Sequence, residues 1–165
     1  MNTDIKLHSE LIKSDIELIL SVPCAMLKGL IKIINKKERI HHIPATREEE
    51  AVGIAVGAYM GGNIPLILMQ NSGLGNSINA IKSLAQIYKI PLIFMMSHRG
   101  AEGEKIVAQE PMGSITTDLL ECVDIKNYTV KYHSDIPKIR NAVEYAQKHK
   151  SSVSILLKRT LWEEN

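Results

Sequence analysis

Aromatic side chains are scarce, at 4% of the chain with one Trp and one Phe, so any core must be built from Ile, Leu, Val, Ala and Met. Cysteine is scarcer: Cys24 and Cys122 stand far apart with no CxxC, which argues against a zinc ribbon or disulfide scaffold and fits a reducing compartment. No apolar run approaches the ~20 residues needed to cross a bilayer. The segment Met1 to Lys6 lacks the basic-then-apolar pattern of a secretory signal. The expectation is a soluble, cytoplasmic protein with no membrane partner. Charge is nearly balanced, at +2, and marks neither a nucleic-acid surface nor an acidic partner. HExxH and GxSxG are both missing, so neither a metal held by this chain nor a serine-hydrolase elbow is expected.

What is present is an ordinary globular composition, 45% hydrophobic and 23% charged over 165 residues. That is enough for one domain, expected to span 1–165, that buries roughly 70% of its unfolded surface. Apolar positions spaced as in helices occur over 3–15, 25–36, 76–88, 115–122 and 136–149. Compact apolar runs that read as strands occupy 16–22, 39–43, 64–69, 90–96, 125–130 and 153–157. The runs at 64–69 and 90–96 are apolar throughout, as strands buried on both faces are. Between Ser97 and Gly113 lies a long polar loop. The alternation predicts an α/β three-layer sandwich, a mostly parallel central sheet with helices on both faces. Ligands in such sheets bind at the carboxyl ends of the strands. Four polar clusters follow strands and should gather there: Pro23-Cys24, Arg47-Glu48, Gln70 to Asn79, and His98 to Pro111.

The chain is organised around Thr46 to Tyr59, a helix expected to open after Pro44 with Thr46 as N-cap. Glu48 shares a stripe with Ala51, Val52, Ala55 and Tyr59, whereas Glu49 and Glu50 fall on other stripes. Acids in a first helical turn are favoured by the helix dipole alone. A carboxyl at the edge of a core can also be one that burial biases towards keeping its proton. The segment Gln70-Asn71-Ser72-Gly73-Leu74-Gly75-Asn76 carries a strand into two glycines and a helix start, where backbone N–H groups can approach an anion or a flat ligand. It matches neither a dinucleotide fingerprint nor a P-loop, and a tight capped turn would look the same. Arg99, with Glu110 downstream, could set a guanidinium over an acidic substrate or merely belong to a solvated loop.

Taken together, these segments resemble the pyrimidine-binding (Pyr) domain of thiamine-diphosphate enzymes, in particular the branch that decarboxylates sulfopyruvate and phosphonopyruvate. The resemblance rests on Val22-Pro23-Cys24-Ala25-Met26-Leu27-Lys28, on Glu48 with Ala51, Ala55 and Gly57, on Met69 to Asn76, and on Arg99-Gly100 followed by Glu110-Pro111. It runs in order over roughly residues 5 to 158.

The resemblance implies that Glu48 bonds N1′ of the cofactor's aminopyrimidine, with Ser72, Gly73, Leu74 and Asn76 around the same ring. It implies substrate contacts from Pro23, Cys24, Arg47, Asn71, Arg99 and Glu110. The role of Arg47 stays open between a substrate ligand and a partner for Glu50. The family's Gly-Asp-Gly, which holds Mg²⁺ and the diphosphate, does not occur in this sequence. A beta subunit should therefore supply it, with thiamine diphosphate bound across a hetero-oligomeric interface. The implied reaction is decarboxylation of 3-sulfopyruvate to sulfoacetaldehyde, a step towards coenzyme M in methanogenic archaea. Alternatives are another small anionic 2-oxo acid, phosphonopyruvate among them, or a non-catalytic subunit of the same fold. The loop 98–113 is expected to close over the substrate.

Overall fold

A computed structural model describes residues 2–36 and 39–164. Six strands form one sheet: β1 (Leu18–Ser21), β2 (His41–Pro44), β3 (Pro65–Gln70), β4 (Ile93–Ser97), β5 (Lys126–Val130) and β6 (Val153–Leu157), in the order β2-β1-β3-β4-β6-β5. Every pairing is parallel, so the sheet has no antiparallel strand. All β–α turns therefore leave from one edge.

Strand residues alternate between two cores. Ile19, Leu66, Leu68, Ile93, Met95, Ile155 and Leu157 face α1 (Thr3–Lys13), α2 (Lys28–Lys36) and α6 (Lys138–His149). Leu18, Leu20, Ile67, Met69, Phe94, Met96 and Leu156 face α3 (Glu48–Met60), α4 (Gly73–Ala80) and α5 (Glu110–Cys122). This is the three-layer sandwich that the sequence pattern predicts. A short α7 (Thr160–Glu163), which the pattern does not signal, follows β6 and buries Leu161. No described helix is long and apolar enough to cross a membrane.

Three local expectations need correction. Helix α4 opens at Gly73 rather than Asn76, and its regular part passes into a π-helical turn over Ile81–Gln86. The segment 97–113 is less of a loop than its polarity suggests. A 3₁₀ turn forms at Val107–Gln109, and α5 begins at Glu110 with Pro111 in its first turn, a position that needs no backbone N–H. Third, the N-cap of α3 is Arg47, without a side-chain bond, and not Thr46. The Thr46 N–H instead donates to Glu50 Oε2 at 2.7 Å, which holds that carboxyl below its usual range.

The remaining loop, 98–106, is closed at its base by two glycines. A Cβ on Gly113 would lie 2.3 Å from the Gly100 carbonyl carbon, and one on Gly100 (φ +73°) would lie 1.9 Å from the Gln109 oxygen. Both contacts are backbone on backbone and cannot yield by a rotamer change. Gly113→Ala is expected to destabilise the chain by about 1–3 kcal/mol through overpacking. A urea unfolding midpoint equal to wild type would contradict this.

Candidate active site

The sheet changes winding direction between β1 and β3, whose connections run to opposite sides, and a crevice at the carboxyl ends of such a pair is the usual ligand site. Its floor comes from the last strand residues and the turn after β1. Gln70 ends β3, Ser97 ends β4 beside it, and Cys24 follows β1. The Cys24 thiol donates to Gln70 Oε1 at 3.7 Å and lies 3.2 Å from Ser97 Oγ. Gln70 Nε2 donates to Ser72 Oγ at 2.7 Å and to Gln109 Oε1 at 2.8 Å, tying the turn after β3 to the 3₁₀ turn before α5. Spacing alone does not single out Gln70, Ser97 or Gln109 as members of one network. Their signal is position, the last residue of a buried parallel strand or the first turn after a loop.

Glu48 opens α3 at the adjacent turn and is half-buried. Its Oε2 accepts a bond from Asn76 Nδ2 at 3.1 Å, while Oε1 receives none among the described residues. The side chain lies across Gly73. A Cβ there would come within 2.4 Å of Glu48 Cγ and 2.8 Å of Oε1. Gly73 is thus a cradle for the carboxyl, and Glu48, Gly73 and Asn76 meet as the sequence suggests.

Leu74 and Asn71 are both engaged within the chain. The Leu74 side chain is fully buried in the α3–α4–α5 core, and its N–H is taken by the Asn71 carbonyl at 3.1 Å. Asn71 is buried and bonded: Nδ2 donates to the Arg99 carbonyl (3.1 Å) and Thr116 Oγ1 (2.8 Å), and Oδ1 accepts from the Arg99 N–H (2.9 Å). Both of its amide hydrogens are used, and it pins the chain after β4. Arg47 is exposed and pairs with Glu49 at 3.2 Å, and together with the Thr46 N–H its own backbone N–H and charge hold the Glu50 carboxyl below its usual range. Glu110 is exposed in the first turn of α5 and joins none of these contacts, and Pro23 is exposed beside Cys24.

Arg99 is buried and lies beside the Cys24 thiol, but its charge is already answered. Nε and Nη2 donate to Glu104 at 2.6 and 2.9 Å. Glu104 also accepts from the backbone N–H groups of Gly100, Lys105 and Ile106 and from Arg159 Nη2 at 3.4 Å. These donors, the Arg99 guanidinium first, hold the Glu104 carboxyl far below the usual carboxylate range. Beside them His98 is buried, with Nδ1 facing Lys158 Nζ at 2.7 Å and Nε2 facing the Gly113 carbonyl at 3.1 Å. The ammonium donates to Nδ1, so Nε2 carries the proton of a neutral ring, and burial pushes the pKa of both groups down. His42, on β2, bonds Ser21 Oγ at 2.7 Å and Asn35 Oδ1. Among the described residues no three His, Cys, Asp or Glu side chains gather as a metal site would need.

A carboxyl cradled on a glycine at the crevice of a parallel sheet fits a class of protein rather than one protein. The chain belongs to the thiamine pyrophosphate (thiamine diphosphate) enzymes: the family model for their N-terminal TPP binding domain matches residues 2–121. Within that class it belongs to the sulfopyruvate decarboxylase family. It is 46% identical over 164 residues to sulfopyruvate decarboxylase subunit alpha of Methanococcus maripaludis, covering 99% of this chain and 98% of that one. It is 32% identical to the sulfopyruvate decarboxylase of Methanosarcina acetivorans, where it covers 42% of a longer chain. A 2-oxoglutarate:ferredoxin oxidoreductase from Magnetococcus marinus superposes with a TM-score of 0.76 over 98% of this chain and 29% of its own, at 15% identity, a likeness of fold alone.

Two expectations follow from this geometry. Gly73→Ala should displace the Glu48 carboxyl. In a crystal structure the Asn76–Glu48 bond is then lost, and an unmoved Glu48 would refute the cradle. Glu104 has a folded pKa below its unfolded value, so its contribution to stability is complete above about pH 4.5 and drains away as pH falls towards the folded value. Glu104→Gln strands two guanidinium groups and should cost about 3 kcal/mol at neutral pH, with a shallower acid dependence in urea titrations.

Proposed function

We propose that this chain is the aminopyrimidine-binding alpha subunit, one domain over 1–165, of a thiamine-diphosphate-dependent sulfopyruvate decarboxylase. A beta subunit completes it by holding the diphosphate and Mg²⁺. The reading rests chiefly on Glu48, a half-buried carboxyl with one oxygen bonded to Asn76 and the other open, lying on a glycine that leaves room for nothing else. That is a fitting partner for the ring nitrogen of a flat heterocycle. Thiamine diphosphate, when bound, supplies the carbon nucleophile and electron sink that loss of CO₂ from a 2-oxo acid requires.

The chain's own residues do the rest. Glu48 holds a proton at N1′ of the aminopyrimidine, and Asn76 fixes the carboxyl that does so. Gly73 and the Ser72 turn support the ring's edge, and Gln70 ties that turn to the crevice floor. Cys24 and Ser97 form the wall against which the substrate lies, and Arg99 stands behind them. Pro23 shapes the mouth, and Arg47 and Glu110 lie at the rim facing the partner. The 98–106 loop, latched by Gln109 to Gln70, covers the crevice when substrate is present. In the cytoplasm this step yields sulfoacetaldehyde on the way to coenzyme M.

The test is CO₂ release from sulfopyruvate with thiamine diphosphate and Mg²⁺, for the chain alone and co-expressed with its beta subunit. Activity is expected only in the complex. Glu48→Gln should lower kcat by about 10²–10⁴-fold while the complex still assembles. Turnover by the chain alone, or an active Glu48→Gln complex, would refute the shared site. A complex that acts on phosphonopyruvate but not sulfopyruvate would refute the substrate and keep the mechanism.

A further inference from the structure

The sulfonate of the proposed substrate needs a cationic seat, and Arg99, the residue the sequence offers, already carries Glu104. Arg159 shares that same carboxylate, and Arg47 pairs with Glu49. Just outside Cys24 a groove of about 320 Å³ is lined by Pro23, Cys24, Ala25, Lys28, Ile31 and Lys32. Its walls are apolar apart from the thiol and two ammonium groups at the rim. Lys28 and Lys32 stand one turn apart on the exposed face of α2, and neither makes an ion pair or hydrogen bond among the described residues.

Their placement works against the helix. Like charges at i and i+4 repel, and a cation in the first turn opposes the helix dipole. The same placement adds two full charges near the positive end of α2, and among the described residues no acid lines the groove itself, while Asp4 of α1 packs on Gly29 of this helix. The lysines are exposed, so their attraction for an anion depends on ionic strength. The groove adjoins the crevice through Cys24, whose thiol contacts both Gln70 and Ser97. Cys24 thus belongs to the crevice floor and to the groove alike, and joins the two surfaces.

We propose that Lys28 and Lys32 form the seat of the substrate's terminal anionic group and set the enzyme's preference for a dianionic 2-oxo acid over pyruvate. This rests on the decarboxylase reading above, and a binding measurement separates the two. Sulfopyruvate is titrated calorimetrically into the alpha–beta complex carrying Glu48→Gln, with and without Lys28→Gln/Lys32→Gln. Kinetics are measured on the lysine variant with Glu48 intact.

The lysine double variant should weaken sulfopyruvate binding and raise KM about tenfold, leave kcat within about twofold, and flatten the ionic-strength dependence of kcat/KM. Its preference for sulfopyruvate over pyruvate should shrink by the same factor, and Lys28→Arg/Lys32→Arg should restore most of it. Unchanged Kd and KM would overturn the seat while leaving the decarboxylase intact. Binding of phosphonopyruvate but not sulfopyruvate, lost in the lysine variant, would support the seat and overturn the sulfonate substrate. A complex that binds neither dianion would overturn the seat outright.

Discussion

A sheet whose strands all run the same way, and whose two faces must both stay dry, sends every β–α turn to a single edge. Here that constraint precedes everything else. It is why Cys24, Gln70 and Ser97, drawn from three separate stretches, come within reach of one another, and why Glu48 opens its helix at the same edge, although no short motif joins them. The interior has little chemistry of its own. Ile, Leu, Val and Met fill both cores, and the polar residues with catalytic promise begin where the strands stop.

At that edge, polar groups divide into those that are spent and those that are free. Asn71 has no unused atom, and Glu104 collects donors from its own loop and two arginines. Both lock the backbone around Arg99. Among the described residues Glu48 keeps one oxygen unbonded and the exposed lysines of α2 make no ion pair, whereas the buried Arg99 guanidinium is paired. In a medium of low polarity an ion pair satisfies itself first, so burial near a site is not evidence of contact with its substrate.

Much of the fold is legible in the sequence because strands buried on both faces read as short unbroken apolar runs, and 64–69 and 90–96 leave little choice. Helix ends are harder. Gly73 and Gly75 look like a turn because glycine usually ends regular structure, yet Gly73 begins α4, its missing Cβ demanded by a carboxyl 25 residues earlier. The polar stretch up to Gly113 hides a helical start for a similar reason: Pro111 normally signals a break but suits a first turn. Glu48 is legible through its register with Ala51 and Ala55. The pairing of Lys158 with His98 is not, because it depends on β6 lying beside β4, an adjacency that chain order does not express.

The contact between Gly100 and Gly113 makes the intervening stretch a covalent ring in all but name, its two ends already together. Most of the entropy of closing a loop is charged to the meeting of its ends and grows only as the logarithm of its length. With the ends held by packing, residues added or removed between Ala101 and Ala108 change that entropy by only fractions of a kcal/mol. The two glycine ends and the Glu104 carboxylate therefore serve the fold, while the contour between these three anchors is left free. The part whose length this architecture leaves least constrained is thus the short contour on either side of Glu104.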